Sequence, residues 1–290
     1  MSHILAIGIA TLDIVNTVDH YPAEDEELRA IAQRVVPGGN AANSAWVLAQ
    51  LGHRVDLCAV LAREPDGERL AALLAARGLG VENCARRDGR TPCSYITVNA
   101  QSGSRTIVHY RDLPELDAAH LGQVPVEAVD WVHLEARDGD VTGVMLGQLR
   151  ERLTDQPVSL EVEKERAHID RLFDLPDVIL FSRPFARGRG FDSAEAFLDH
   201  MGERCPGAIL SCTWGEAGAW ARDGGGVLHH APGVPPPAVV DTLGAGDTFN
   251  AGFIHGLASG RTVAEALGIA VALAGRKVGQ QGLGGLGGQP

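Results

Sequence analysis

The sequence predicts an α/β fold with a mostly parallel central sheet, because short apolar segments alternate with amphipathic helical segments along its 290 residues. Strand–helix–strand units of this kind connect through right-handed crossovers, which place helices on both faces of the sheet. The chain is 45% hydrophobic and 21% charged, a composition typical of a globular domain that folds without metals or disulfides. We therefore expect residues 1–290 to form a single domain.

The predicted elements follow one another in a regular order. Short apolar runs predict strands at residues 4–9, 55–61, 131–134, 158–162, 178–181 and 208–212. Helices are predicted from periodic apolar positions and end signals at residues 40–51, 66–77, 141–153, 167–173, 192–204, 248–257 and 262–278. The last helix opens with Thr262 and Glu265 in the spacing of a capping box.

Two segments interrupt this alternation and predict a small antiparallel β lid. Residues 28–36 and 94–110 have the pattern of strands without intervening helices, and residues 100–103 form a hairpin turn. Ligands of open α/β sheets bind at the carboxyl ends of the strands, so we expect the lid to cover that edge. We place the lid at about residues 11–37 and 90–112.

Charge and composition exclude several classes of partner. The formal net charge of −12 disfavours binding to nucleic acid or to anionic membranes through bulk charge. No apolar run approaches the roughly 20 residues of a membrane-spanning helix, and the first residues lack a basic leader. The five scattered cysteines show no metal-ligand spacing. We expect reduced thiols in a cytoplasmic protein.

The strongest chemical signal lies in residues 239–250, where an apolar strand end meets Gly244, Ala245 and Gly246, followed by Asp247 and a helical pattern. Small residues at a helix start expose backbone N–H groups, which suit a phosphoryl group with extra negative charge. Asp247 is placed to accept a proton from an attacking hydroxyl. The alternative is that Asp247 is only a helix N-cap beside a tight glycine turn.

The motif Asp-Thr-x-Gly-Ala-Gly-Asp-x-Phe at residues 241–249 resembles the C-terminal signature of the ribokinase-like (PfkB) sugar kinases. Gly-Gly-Asn-Ala-Ala-Asn at residues 38–43 resembles their N-terminal signature. The resemblance covers the whole chain and implies a ribokinase-like three-layer sandwich with a small β lid. It also implies an enzyme that uses ATP and Mg²⁺ to phosphorylate a sugar hydroxyl.

Within that family the chain most resembles the kinases that convert fructose to fructose 1-phosphate. The matching stretches include residues 102–107, 133–135 and 161–164. Two alternatives stay open: a family kinase acting on ribose, a nucleoside or a sugar phosphate, and a noncatalytic sugar or nucleotide sensor.

The resemblance assigns roles on the sugar side of the site. Asp247 is implied as the general base, and the backbone of Gly244, Ala245 and Gly246 as the anion hole. The residues implied to bind sugar are Asp13, Gly39, Asn40, Asn43, Asp25, Arg105 and Arg137. Asp25 is implied to reach the sugar of a partner subunit, which implies a homodimer with interlocked lids. The alternatives are capping asparagines, a solvated acid at Asp25 and exposed arginines.

The resemblance also assigns a nucleotide side. Thr213, Gly215 and Gly218 match a Thr-x-Gly-x-x-Gly segment implied to contact ATP together with Gly244 and Gly246. Residues 181–185 lack the Asn-x-x-Glu that organises Mg²⁺ in many members.

Three further interpretations concern ions and phosphates. Arg187 is a candidate phosphate contact, since a guanidinium neutralises phosphate charge. Glu161 and Glu163 share a strand face and are candidates for positioning Mg²⁺, or they form a solvated acidic edge. Asp241 resembles part of a monovalent-cation (K⁺) site of some members.

Overall fold

The structure, a computed structural model, describes residues 1–288 and contains fifteen strands and eight α-helices within them. The strands are β1 (His3–Ile7), β2 (Thr11–Val18), β3 (Ala32–Gly38), β4 (Arg54–Cys58), β5 (Val60–Ala62), β6 (Leu79–Gly80), β7 (Ala85–Arg87), β8 (Cys93–Asn99), β9 (Arg105–Tyr110), β10 (Trp131–Glu135), β11 (Val158–Val162), β12 (Val178–Phe181), β13 (Ile209–Thr213), β14 (Ala219–Arg222) and β15 (Leu228–Ala231). The helices are α1 (Asn40–Gln50), α2 (Pro65–Ala76), α3 (Ala118–Leu121), α4 (Gly139–Arg152), α5 (Arg183–Gly188), α6 (Ala194–Arg204), α7 (Ala245–Ala258) and α8 (Val263–Val278).

Nine strands form the main sheet in the order β15-β14-β13-β12-β11-β10-β1-β4-β6. Neighbours from β13 to β6 pair in parallel, and β14 and β15 extend the sheet as antiparallel strands. Alternate side chains of β1 enter two separate cores, Ile4 on one face and Leu5 on the other. Helices α1, α2, α7 and α8 cover the first face and α3 to α6 the second, which confirms the predicted three-layer sandwich.

A second sheet, which we call the β lid, has the strand order β3-β2-β8-β9. Strand β2 pairs antiparallel with β3 and parallel with β8, and β8 forms the predicted hairpin with β9. The parallel pair arises because a long connection, including α1 and α2, separates β2 from β8. The strand predicted at residues 28–36 starts later, at Ala32.

Apart from shifts in their bounds, three predicted elements differ from those observed. The apolar strand end expected at residues 239–240 is not in a strand. The strand expected at residues 55–61 is divided at Ala59, because β4 pairs with β1 in the main sheet whereas β5 pairs with β7. The helix expected at residues 167–173 is a single 3-10 turn, Ile169–Leu172, which begins after His168 with φ of 60°. The capping box of α8 is present as predicted.

The cysteine side chains, all five within the described residues, are buried and unpaired thiols. Burial raises the pKa of Cys58 and of Cys212, so these thiols stay protonated at neutral pH. Over residues 1–288, no helix combines the length and apolar character needed to cross a membrane.

Candidate active site

A cavity of about 640 Å³ opens where the carboxyl ends of the parallel strands face the β lid. This volume lies within the range of roughly 300–1,000 Å³ that is usual for small-molecule sites. The predicted site residues that line it are Asp13, Gly39, Asn40, Asn43, Arg105, Arg137, Glu161, Glu163, Thr213, Gly244, Ala245, Gly246 and Asp247. Five others are absent from its lining: Asp25, Arg187, Gly215, Gly218 and Asp241.

Helix α7 begins at the cavity wall. Its N-cap is Gly244, whose φ of 79° lies in the left-handed region that glycine adopts without strain. No side chain caps this end, and the first N–H groups of a helix have no partner within it. The backbone of residues 244–247 therefore presents donors to the cavity, at the positive end of the helix dipole.

Asp247 is the third residue of α7, so its carboxylate is not the N-cap. Only 7% of the residue is exposed, and its Oδ2 accepts a hydrogen bond of 2.7 Å from Asn43 Nδ2. Burial raises the pKa of Asp247 to about 7, while the Asn43 amide acts in the opposite direction. A carboxylate with this pKa is suited to act as a general base near neutral pH.

The sugar-side residues come from β2 and the start of α1. Asp13 on β2 is buried, and its Oδ1 accepts a hydrogen bond of 2.7 Å from Thr11 Oγ1. Burial raises the pKa of Asp13. Asn40 and Asn43 lie one turn apart on α1, and neither caps the helix, because the N-cap is Gly39. Carboxylate and amide groups pointing into one cavity provide both acceptors and donors for a polyol.

Three glutamates stand at the ends of neighbouring strands β10 and β11. Asn40 Nδ2 donates to Glu161 Oε1 at 3.2 Å and to Glu163 Oε2 at 3.3 Å. Glu161 Oε2 is buried without a hydrogen-bond partner among the described residues. Burial, with the nearby charge of Asp247, raises the pKa of Glu161 well above its usual value. Within residues 1–288, no group of three or more His, Cys, Asp and Glu side chains is arranged to hold a metal ion alone.

The two arginines assigned to the sugar side have different hydrogen-bond partners. Arg137 is held by carboxylates, with Nη2 at 2.8 Å from Glu115 Oε1 and Nη1 at 3.3 Å from Glu135 Oε1. Arg105 extends from the β lid across the cavity and donates to the hydroxyl of Thr242. Arg137 therefore stabilises the cavity wall, whereas Arg105 joins the lid to the turn before α7.

On the nucleotide side, the structure brings only part of the predicted set together. Thr213 lines the cavity at the end of β13. Gly218, with φ of 94°, has a packing role, because a Cβ there would lie 2.1 Å from the backbone oxygen of Ala231. Arg187 is exposed, and its guanidinium carbon lies 5.7 Å from the centre of the Trp214 ring. The ATP contacts of Gly215, Gly218 and Arg187 stay predictions.

Two further assignments lie outside the cavity. Asp25 is exposed, in a turn with φ of 64°, and is absent from the cavity lining, so its contact with a partner subunit stays a prediction. Asp241 is engaged by a lysine: Lys277 Nζ lies 3.1 Å from Asp241 Oδ2 and 2.8 Å from the Asp241 backbone oxygen. The residues at the predicted K⁺ site therefore do not fit a free cation, since an ammonium group already binds these oxygens.

Sequence reasoning missed several residues that line the cavity. Glu135 Oε2 accepts a hydrogen bond of 3.0 Å from the Ile9 amide, which fixes the segment after β1. Ser94 and His109 project from the β lid, with Ser94 Oγ 3.3 Å from His109 Nδ1. The position of Glu135 at a strand end could have revealed it. Ser94 and His109 could not be found from the sequence, because their proximity depends on the pairing register of β8 and β9.

Comparison with known proteins identifies the family. The model of the pfkB family of carbohydrate kinases matches residues 1–286. The chain belongs to this family. Mouse ketohexokinase is 40% identical to this pfkB kinase over 292 residues, covering 98% of each chain. A fructokinase of Klebsiella pneumoniae is 29% identical over 77% of each chain. The kinase is thus a phosphotransferase with an alcohol group as acceptor.

Solved structures confirm the fold. A putative ribokinase from Agrobacterium tumefaciens superposes with a TM-score of 0.85 at 22% identity, covering 97% of this chain and 92% of that one. Ribokinase from Giardia lamblia gives 0.84 at 18% identity, covering 100% and 97%. At these identities the similarity establishes the ribokinase-like fold.

Proposed function

We propose that this pfkB kinase transfers the γ-phosphoryl group of ATP to a primary hydroxyl of a ketose, converting fructose to fructose 1-phosphate. The observation that carries the proposal is the placement of Asp247, a buried carboxylate beside the open first turn of α7 in the cavity between the main sheet and the β lid. The identity of 40% to mouse ketohexokinase supports a ketose as the acceptor.

The chemistry follows from the positions of these groups. The sugar hydroxyl lies against the Asp247 carboxylate, which takes its proton as the oxygen attacks the γ-phosphorus atom. The bond between that phosphorus and the bridging oxygen breaks, and ADP leaves with the bridging oxygen. Asn43 donates to Asp247 Oδ2 and so fixes the carboxylate in one orientation. The backbone N–H groups of residues 244–247 stabilise the charge that develops on the transferred phosphoryl oxygens.

Sugar binding is assigned to the polar wall opposite the nucleotide. Asp13 accepts hydrogen bonds from sugar hydroxyls, in an orientation held by Thr11. Asn40 and Asn43 donate from α1, Gly39 contributes backbone to the wall, and Arg105 reaches in from the β lid. The affinity for the sugar then depends on the lid, because Arg105 reaches the cavity only when β9 lies over it.

The residues present fit a hydrated Mg²⁺ ion. Glu161 Oε2 is a buried oxygen without a hydrogen-bond partner among the described residues. Glu163 is close to Glu161, because the Asn40 amide donates to both carboxylates. Mg²⁺ in kinases is usually held by one or two carboxylates together with substrate phosphates and waters. Glu161 and Glu163 would hold the ion, which neutralises charge on the nucleotide phosphates when bound.

The β lid is proposed as the contact between two subunits. Its outward side chains include three large exposed apolar groups: Tyr95, Val108 and Tyr110. A cluster of this kind on one sheet is typical of a surface that another protein covers. In such a homodimer Asp25 would reach the cavity of the partner. We place the enzyme in the cytoplasm, where its buried thiols stay reduced.

The proposed function is tested by a screen for ADP release with Mg-ATP and single acceptors. The acceptors are fructose, other ketoses, ribose, adenosine and fructose phosphates. We expect clear turnover of free fructose and little turnover of fructose phosphates, because residues 23–27 of the lid are acidic. Turnover of adenosine or ribose alone would overturn the ketose assignment. If no acceptor causes ADP release, the result would favour a sugar or nucleotide sensor.

A further inference from the structure

Lys277, near the end of α8, places an ammonium group beneath the turn that leads to the active site. The residue is fully buried, and its Nζ donates to the Asp241 backbone oxygen at 2.8 Å and to the Gln280 backbone oxygen at 3.4 Å. It also forms an ion pair of 3.1 Å with Asp241 Oδ2. Three oxygens from two chain segments thus surround one buried positive charge.

Both oxygens of the Asp241 carboxylate also accept hydrogen bonds from backbone amides. Oδ1 accepts a hydrogen bond of 2.9 Å from the Leu243 amide, and Oδ2 accepts one of 3.0 Å from the Gly282 amide. Arg34 adds a second cation, with Nη2 3.7 Å from Oδ2. Burial acts to raise the pKa of Asp241, but these two amides and Lys277 lower it below the usual value.

A free monovalent cation does not fit this arrangement. K⁺ is held by oxygen atoms, and here the carboxylate and two backbone oxygens already bind the Lys277 ammonium. A second cation among the same oxygens would lie within a few ångströms of the ammonium charge in a buried environment, where repulsion is poorly screened. The lysine therefore replaces a bound ion and does not accompany one.

The choice of residue supports this interpretation. The chain contains only two lysines, Lys164 and Lys277, and uses arginine for its other basic side chains. An ammonium is a compact point charge that approaches several oxygens at once, whereas a guanidinium is planar and directs its donors in a fixed fork. A lysine in this otherwise arginine-rich chain is thus found where a compact buried cation is required.

The ammonium is coupled to the active site through a short piece of backbone. Asp241 is followed by Thr242, which accepts a hydrogen bond from Arg105, and then by Gly244 at the start of the anion hole. The amides of Val240 and Asp241 also bond to the Val278 carbonyl at 2.9 and 3.2 Å. Fixing Asp241 therefore fixes where the first turn of α7 begins.

We propose that Lys277 is a positioning residue, a tethered cation that holds the turn before the anion hole, so that phosphoryl transfer requires no free monovalent cation. The proposal rests on the proposed kinase function for its kinetic readout. Its binding readout is independent of that function, because it concerns only whether the folded protein responds to K⁺.

The first test uses the wild-type protein in K⁺, Na⁺ or choline chloride at equal ionic strength. We expect kcat, KM and Tm to be the same in all three salts, within about twofold for the rates. A tenfold activation by K⁺, or a rise of Tm specific to K⁺, would overturn the proposal. Absence of ADP release in every salt would count against the kinase function, and the Tm comparison would still decide the role of Lys277.

The second test uses Lys277→Ala, which leaves space for an ion among the oxygens. In choline we expect kcat at least ~10-fold below wild type, with partial recovery in K⁺ or NH₄⁺. Tm should rise in K⁺ for this variant only. The matched control is Arg261→Ala, an exposed position just before α8 that removes the same charge and should show no salt-specific response. Wild-type kcat for Lys277→Ala in choline would contradict the proposal. Should the variant not fold, the wild-type salt comparison alone decides between a tethered and a free cation.

Discussion

At the scale of single residues, Asp247 and Asn43 form a pair in which burial and a hydrogen bond act on one carboxyl group in opposite directions. Burial disfavours the charged form of Asp247, and the Asn43 amide favours it. The result is a pKa of about 7, well above that of an ordinary aspartate. Other carboxylates in the cavity, among them Glu135 and Glu163, act in the same direction as burial.

This raised pKa predicts how the rate depends on pH. Because the base must be deprotonated to accept a proton, kcat/KM should be half-maximal near the Asp247 pKa of about 7, reach a plateau about one pH unit above it and fall as pH decreases below it. The fall should approach tenfold per pH unit, measured by coupled ADP release at saturating Mg-ATP. A profile that stays flat down to pH 5 would contradict a base with a raised pKa.

Asn43→Ala provides the companion measurement. Loss of the amide donor removes a contact that favours the ionised carboxylate, so the midpoint of the profile should move to higher pH, by about one unit. A sugar-binding role alone would raise KM without moving the midpoint. Asn16→Ala, a lid position outside the cavity lining, should leave both quantities as in wild type.

Residue-scale features differ in how far the sequence predicts them. Gly244 and Asp247 can be found because a phosphate-binding helix start requires small residues in consecutive positions. Lys277 and Asp241 lie 36 residues apart, and their contact depends on where α8 ends, which local sequence does not determine. The packing of Gly218 against the backbone of β15 is set by strand pairing, which local sequence does not reveal, and its ATP contact stays a prediction.

At the scale of elements, the first turn of α7 combines geometry and charge. Its position depends on Gly244, the left-handed residue between the Asp241 turn and the helix. A Cβ at Gly244 would lie 3.0 Å from Leu283 Cδ2, so both backbone conformation and packing require glycine. Periodicity predicts the helix, but it places the helix start three residues late because glycines weaken the pattern. The apolar strand end expected at residues 239–240 is wrong, because these residues are not in a strand.

Gly244→Ala is therefore expected to destabilise the protein by about 1–2 kcal/mol, from the left-handed backbone and the Leu283 contact. Thermal unfolding should show a Tm lower by several degrees, and kcat should fall as the anion hole shifts. Gly246→Ala is the matched control for stability, since no atom lies within 4 Å of a Cβ there. Equal Tm values for the two variants would contradict this explanation of Gly244.

At the scale of the whole molecule, the β lid and the main sheet contribute opposite walls of one cavity. The alternation of strands and helices is sufficient to predict the three-layer body. It does not predict the pairing of β2 with β8, because strands far apart in sequence carry no local signal of their register. The homodimer proposed above would cover the exposed apolar side chains of the lid.

The lid contact predicts a dimer that is sensitive to its apolar surface. Val108 is 64% exposed on β9, and Val108→Asp should abolish dimerisation. KM for the sugar should then rise about tenfold, because the contact from Asp25 of the partner subunit is lost. Light scattering coupled to size exclusion measures the mass. Val144→Asp, at an exposed valine of α4 outside the lid, should remain dimeric. A wild-type monomer with full activity would refute the shared site.

The most direct measurement compares turnover and sugar affinity for Asp247→Asn. The amide preserves the shape of the side chain and accepts from Asn43, but it cannot take a proton from the sugar hydroxyl. If Asp247 is the base, kcat should fall at least ~10²-fold while the Kd for fructose, measured calorimetrically, changes less than about threefold. Near-normal kcat in the folded variant would contradict the assignment of Asp247 as the base.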